Sequence, residues 1–286
     1  MEDGLKQEEP GESAGGSNSL GGNGNRETGW PAKKESEPNI AVESTVSESV
    51  FLLPHWADLS ISEQYVELAF GNVRYSSRAT ELPVEKVGDV LSAATIHGYD
   101  EYAKKAYTID GMVYSIQGLS PECAVAVRFD AANDYYVYIN AYYQPDTLGD
   151  LIHDLNLKEN MGFGNISYSY FDRSNQYHGV EFTCGSDDFI WSILLSETDV
   201  PAVDDFDSMW LMDTMGISVN TPILGYSNIN LGVTQDGYLT TNILDSGKAF
   251  YIGKDKTEAF VNYVIEHCEG YSIDTPNSND NEPVEE

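Results

Sequence analysis

Apolar positions recur along the chain in two rhythms. A period near 3.6 marks three helices. Leu148, Leu151, Ile152 and Leu155 fall at i, i+3, i+4 and i+7, and Thr147 with Asp150 supplies a capping-box start. Asp187 is placed to cap a second helix carrying Phe189, Ile190, Ile193 and Leu194 on one stripe. A third opens at Asp255 with Glu258 three residues on. It aligns Phe260, Tyr263, Val264 and Cys268, and Gly270 is its expected stop. A shorter helix is predicted over 84–91, behind Pro83. Between these, β-rich runs predict strands over 112–117, 124–129 and 135–143, the last two joined as a hairpin by the turn-like 130–134. Residues 165–171 and 179–183 read as a second hairpin. Residues 229–234 and 238–244 read as a third, turned through Gln235-Asp236-Gly237.

The order hairpin, connection, amphipathic helix occurs at 124–157 and again at 229–268. This echo predicts an α+β fold of two related lobes, each a small antiparallel sheet with helix cover. The first lobe is expected over 49–160 and the second over 161–273, meeting at Asn160-Met161-Gly162. Residues 1–48 hold ten acids and four bases among Gly, Ser and Asn, and 274–286 hold five acids and no base. Such segments bury too little apolar surface to offset their ordering entropy, so both are expected as disordered acidic tails, the first a linker.

Across 286 residues the formal charge is −32, and the acidity extends beyond the tails. A surface this negative repels polyanions, which argues against nucleic acid and anionic headgroups as partners. No apolar run approaches the length needed to span a bilayer. Met1-Glu2-Asp3-Gly4 lacks the basic and apolar regions of a signal peptide. Cys123, Cys184 and Cys268 are far apart, without C-x-x-C. They read as small buried apolar side chains, with a single disulfide left open. His55, His97, His153, His178 and His267 show no metal-ligand spacing, and no phosphate-binding glycine loop or nucleophile elbow is present. No cofactor, catalytic residue or metal ligand is assigned.

Three local features carry candidate chemistry. Ile243-Leu244-Asp245-Ser246-Gly247 matches the apolar-apolar-Asp-Ser-Gly pattern of aspartic peptidases. That chemistry needs a second carboxylate sharing a proton with Asp245, and the competing reading is a tight turn after a strand. Asp204, Asp205 and Asp207 form an acidic loop that lacks the order of a calcium loop, leaving only weak Ca²⁺ binding open. The tyrosines are the most unusual feature, at 19 in the chain. On the strand over 135–143, one face carries Tyr136, Tyr138, Asn140 and Tyr142, flanked across the hairpin by Ala124 and Ala126 with Arg128 nearby. A row of hydroxyl-tipped rings suits a half-wet recognition surface, with Arg128 stacking on one ring. Tyr136, Tyr138, Tyr142 and Arg128 are therefore the candidate interaction surface.

A further signal comes from Val73-Arg74-Tyr75, then Val84-Glu85-Lys86-Val87-Gly88-Asp89-Val90, then Met112-Val113-Tyr114-Ser115-Ile116-Gln117-Gly118-Leu119-Ser120-Pro121 leading into Cys123-Ala124-Val125-Ala126-Val127. This succession resembles a small extracytoplasmic domain of Gram-positive, mostly clostridial, bacteria, found in lipoproteins and in the outer part of membrane-anchored anti-sigma-factor-like proteins. Gln117 replaces the usual Lys there, and Val87-Gly88-Asp89 replaces Ile-Gly-Glu. The resemblance implies a place outside the membrane, attachment through an anchor that this chain does not carry, and a sensing or interaction role. It brings no catalytic residue. The expectation is a non-enzymatic extracytoplasmic domain that binds an envelope protein, peptide or glycan. The alternatives are a hydrolase around Asp245 and a spacer without ligand.

Overall fold

A computed structural model describes residues 54–171, 177–204 and 213–273, which belong to one compact unit. The predicted tails over 1–48 and 274–286, and Asp205 and Asp207 of the acidic loop, lie outside them. After a short helix α1 (Ile61–Gln64) come β1 (Glu67–Phe70), β2 (Val73–Leu82), β3 (Val87–Asp100), β4 (Lys105–Ile116), β5 (Ala124–Phe129) and β6 (Tyr135–Ile139). These close into an antiparallel barrel in the order β1-β2-β6-β5-β4-β3. Helices α2 (Leu148–Asp154) and α3 (Leu157–Asn160) lead to β7 (Gly162–Phe171), β8 (Tyr177–Thr183), β9 (Asp213–Thr221), β10 (Tyr226–Thr234), β11 (Tyr238–Thr241), β12 (Lys248–Tyr251), α4 (Lys254–His267) and β13 (Glu269–Ile273). The later strands form one seven-stranded sheet in the order β12-β11-β10-β9-β7-β8-β13.

The two related α+β lobes are therefore overturned: a closed barrel and an open sheet, both antiparallel, dominate the described chain. The echo fails at two places. The first hairpin, β5–β6, is part of the closed barrel, and in the second copy the extra strand β12 stands between hairpin and helix. The helix over 84–91 is also corrected. Val84–Lys86 is a single 3₁₀ turn, and Val87 begins the 14-residue strand β3. Within this stretch Val84, Val90 and Leu91 stay exposed, so no continuous helical face is buried and pairing along β4 prevails. Asp187 precedes only a π-helical turn, Ile190–Leu194, rather than a full helix. The C-terminal helix starts behind Gly253 at φ +98°, with Asp255 in its first turn, and Gly270 sits inside β13. Thr147 and Asp150 do form the reciprocal capping box that opens α2.

Two cores share the central strands. Leu68, Tyr75, Ile96, Val113, Val125 and Val127 fill the barrel interior. Ala124, Ala126, Val137 and Ile139 project from the outer face of β5 and β6 into a second core. That core joins them to Leu148, Leu151 and Leu155 of α2, to Ile217 and Leu231 of the sheet, and to Phe260 and Val264 of α4. Burial on both faces explains why β5 and β6 read as unbroken apolar runs.

Candidate functional site

The candidate tyrosine row is largely core. Val125 pairs with Tyr138 and Val127 with Tyr136, so the rings share their face with valines and not with Ala124 and Ala126. That face points into the barrel: Tyr138 is 0% exposed and Tyr136 8%. The Tyr138 hydroxyl donates to the Tyr65 carbonyl, and burial raises the pKa of its phenol. Closure of the sheet into a barrel is the physical reason, since it encloses the face that carries Tyr136 and Tyr138. Arg128 lies on the opposite face, its guanidinium carbon 5.8 Å from the ring centres of both Tyr114 and Tyr135. Tyr142 lies beyond the end of β6 and is 80% exposed. It borders a shallow depression of about 400 Å³ with Arg74, Ser76 and His97. The four residues do not meet at one surface.

A different group of aromatic side chains does gather at the surface. β3 and β4 form a long hairpin whose tip is the turn over 101–104. The Asp100 carboxylate shapes this turn by accepting from the Tyr102 and Ala103 amides at 2.9 and 3.0 Å. The segment before β1 folds back across the hairpin. Trp56 stacks on Tyr107 at 5.0 Å between centroids and meets Tyr65 edge-on at 5.6 Å. Gly98 makes this contact possible, because a Cβ there would fall 2.1 Å from the Gln64 carbonyl oxygen and 2.6 Å from Trp56 Cη2. His55 lies against Tyr102 at 4.8 Å. The result is a pocket of about 170 Å³ walled by Pro54, Trp56, Leu59, Tyr99 and Tyr102, with Asp100 and Glu101 alongside. Tyr99 and Tyr102 remain 48% and 46% exposed. Glu101 pairs with Lys104 at 2.8 Å, but both side chains are more than half exposed, and such pairs are weak.

A second group is buried. Lys248, at the head of β12, is 1% exposed. Its ammonium nitrogen donates to the Ile243 carbonyl at 2.8 Å and the Ser246 carbonyl at 2.9 Å, and lies 2.7 Å from Ser246 Oγ. Burial pulls its pKa down to about 8. Cys123 is the free thiol, and burial pushes it up to about 12, which leaves it protonated and inert. Tyr143 donates to Asp154 at 2.6 Å. Asp245 belongs to the same turn. One of its carboxylate oxygens accepts from Arg78 at 3.2 Å and the other from the Tyr226 hydroxyl at 2.9 Å. Arg78 also lies 4.0 Å from the Tyr226 ring centre. Among the described residues no carboxylate is hydrogen-bonded to Asp245, so the proton-sharing partner required by a peptidase is missing from its contacts.

Among the described residues no set of three His, Cys, Asp or Glu side chains is grouped for metal binding, and no helix is long and apolar enough to cross a membrane. Cys184 and Cys268 form a disulfide, so only Cys123 keeps the buried-thiol reading. Residue-by-residue reading missed the pocket because Trp56, Tyr99 and Tyr102 are brought together only by the fold-back. The usable signal was the density of rings in 99–107 beside an otherwise unexplained Trp56. Comparison with protein-family models, curated proteins and solved structures finds no match for this chain.

Proposed function

We propose that this protein is an extracytoplasmic interaction module whose aromatic pocket binds an extended, basic, proline-containing peptide segment of an envelope protein. The observation that carries the reading is the half-exposed aromatic pocket at the β3–β4 tip, built from Pro54, Trp56, Tyr99 and Tyr102 beside two acids. Pre-stacked rings present large contact area at low entropy cost. An aromatic groove suits the extended proline conformation, which loses little freedom on docking. The formal charge of −32 and the adjacent Asp100 and Glu101 favour a cationic partner. A glycan is less well served. The Asp100 carboxylate is committed to its turn and the walls are mostly carbon, which leaves few acceptors for sugar hydroxyls. The disulfide supports a place in an oxidising compartment.

Fluorescence polarisation tests the reading, using a labelled twelve-residue Pro/Arg peptide, its Pro/Glu counterpart and a neutral oligosaccharide. The expected result is salt-sensitive binding of the basic peptide alone, weakened at least tenfold by Tyr99→Ser with Tyr102→Ser at unchanged melting temperature. Binding that ignores the double substitution, or binding of the oligosaccharide alone, overturns it.

A further inference from the structure

The turn that carries Asp245 holds a second arrangement, independent of the aromatic pocket. Leu244 and Asp245 both have left-handed backbone, at φ +59° and +66°. This conformation is costly for residues with a Cβ, and consecutive examples persist only where surrounding contacts enforce them. The turn is tied by Asp245 N–H to the Asn242 carbonyl at 3.0 Å and Ser246 N–H to the Leu244 carbonyl at 2.8 Å. It aims Ser246 Oγ at the buried Lys248 nitrogen while Ser246 itself remains half-buried. We infer that Ser246 is a nucleophile with Lys248 as its general base, forming a serine–lysine pair that reacts with carboxylic esters and related acyl electrophiles.

The contacts of Lys248 account for both protonation states. As an ammonium it has three donors, and the Ile243 carbonyl, the Ser246 carbonyl and Ser246 Oγ receive them. As an amine it keeps two N–H bonds for the carbonyls and offers its lone pair to the serine hydroxyl, whose other acceptor is the Tyr143 carbonyl at a longer 3.4 Å. The second state is the one a base requires. Burial lowers the cost of reaching it, with a pKa pulled down to about 8. The charged or titratable groups that act on Lys248 are Asp245, which favours the ammonium, and Cys123, which would do so only as a thiolate, so neither creates the depression. Gln144 Nε2 lies 3.4 Å from Ser246 Oγ and is the nearby side-chain donor from outside the turn. On attack, the Oγ–carbon bond forms and the hydroxyl proton passes to Lys248. The ester C–O bond then breaks and the alcohol leaves with that proton. Water frees the acid from Ser246 by the same transfer in reverse.

The test uses the intact protein and a fluorophosphonate. Here Oγ displaces fluoride from phosphorus, and the released proton resides on Lys248. Peptide mass mapping should find the adduct on Ser246. Its rate should rise about tenfold from pH 7 to pH 9, following the amine fraction of a group near pH 8. Ser246→Ala should abolish the adduct in a protein that still folds, its melting temperature lowered by the donor that Lys248 then leaves unpaired. Absence of a Ser246 adduct between pH 6 and pH 10, or a rate indifferent to pH, overturns the inference and assigns Lys248 to structure alone. Because the wild-type protein gives the decisive reading, an unfolded Lys248 variant would not obscure it.

Discussion

Lys248 and Tyr138 show how much depends on which atoms accompany a buried polar group. Lys248 has every donor satisfied, yet burial still penalises its charge. Its folded pKa of about 8 lies below the ordinary 10.5, so between those values the unfolded chain holds a proton that the folded protein has released. Stability must therefore rise with pH across that window, by about 3 kcal/mol from this residue. Cys123 opposes it: its folded value is near 12 against an ordinary 9.0, so above pH 9 it favours unfolding as pH rises. Denaturant unfolding at pH 7, 8, 9 and 10, wild type against Lys248→Met, separates the two. The wild type should gain on the variant between pH 8 and pH 10, and parallel curves would refute the assignment. Tyr138 offers a simpler case. It is wholly buried with its hydroxyl bonded to the Tyr65 carbonyl, so Tyr138→Ser should cost about 3–5 kcal/mol, whereas Tyr142→Ser on the exposed ring should change the melting temperature little. The tyrosine row was visible as a pattern, but the pattern alone does not say whether its face meets water or a closed interior.

At the scale of elements, Gly98 decides the aromatic pocket. It lies where the chain before β1 crosses β3, with the Gln64 carbonyl and the Trp56 ring too near for any Cβ. Gly98→Ala should displace Trp56 from Tyr107, redshift its fluorescence and destabilise the protein by about 1–3 kcal/mol, as overpacking does. An unchanged spectrum and melting temperature would show that the contact does not hold the pocket. Local pattern was most legible where an element is amphipathic or bounded by turn chemistry. The capping box at Thr147 and Asp150, the β5–β6 hairpin and the turn through Asp236 and Gly237 stand where their residues place them. Legibility failed where pairing overrides local preference. A helix is predicted over 84–91 behind Pro83, yet Val87 and Val90 register against Ile116 and Tyr114 of β4. The π-helical turn at Ile190–Leu194 follows the predicted stripe only in part, with Phe189, Ile190 and Leu194 buried and Ile193 less so. Ser246 and Lys248 could not be matched as a pair, because their closeness depends on two left-handed residues without a glycine to announce them.

For the molecule as a whole, the cross-link and the two cores make a prediction together. Cys184 directly follows β8 and Cys268 directly precedes β13, strands that pair with Thr183 opposite Glu269. The bond therefore pins the outermost pair of the seven-stranded sheet, where edge strands otherwise fray. Its sequence separation is 84, and in the chain-entropy view a loop of that length stabilises by about 4–5 kcal/mol. The barrel interior is a separate cluster to which neither cysteine contributes. Replacing both cysteines by serine should thus lower the stability of the sheet by several kcal/mol while the barrel retains its interior. Hydrogen exchange resolves the two. Amides of Glu181 and Tyr271, opposed in the β8–β13 pair, should lose protection, and those of Val125 and Tyr138, opposed in the barrel, should keep it. Equal loss at all four positions would mean that the core shared by the outer face of β5 and β6 with the sheet couples them into one cooperative unit, so that the pocket on the barrel and the serine turn beside the sheet rise and fall with the same cross-link.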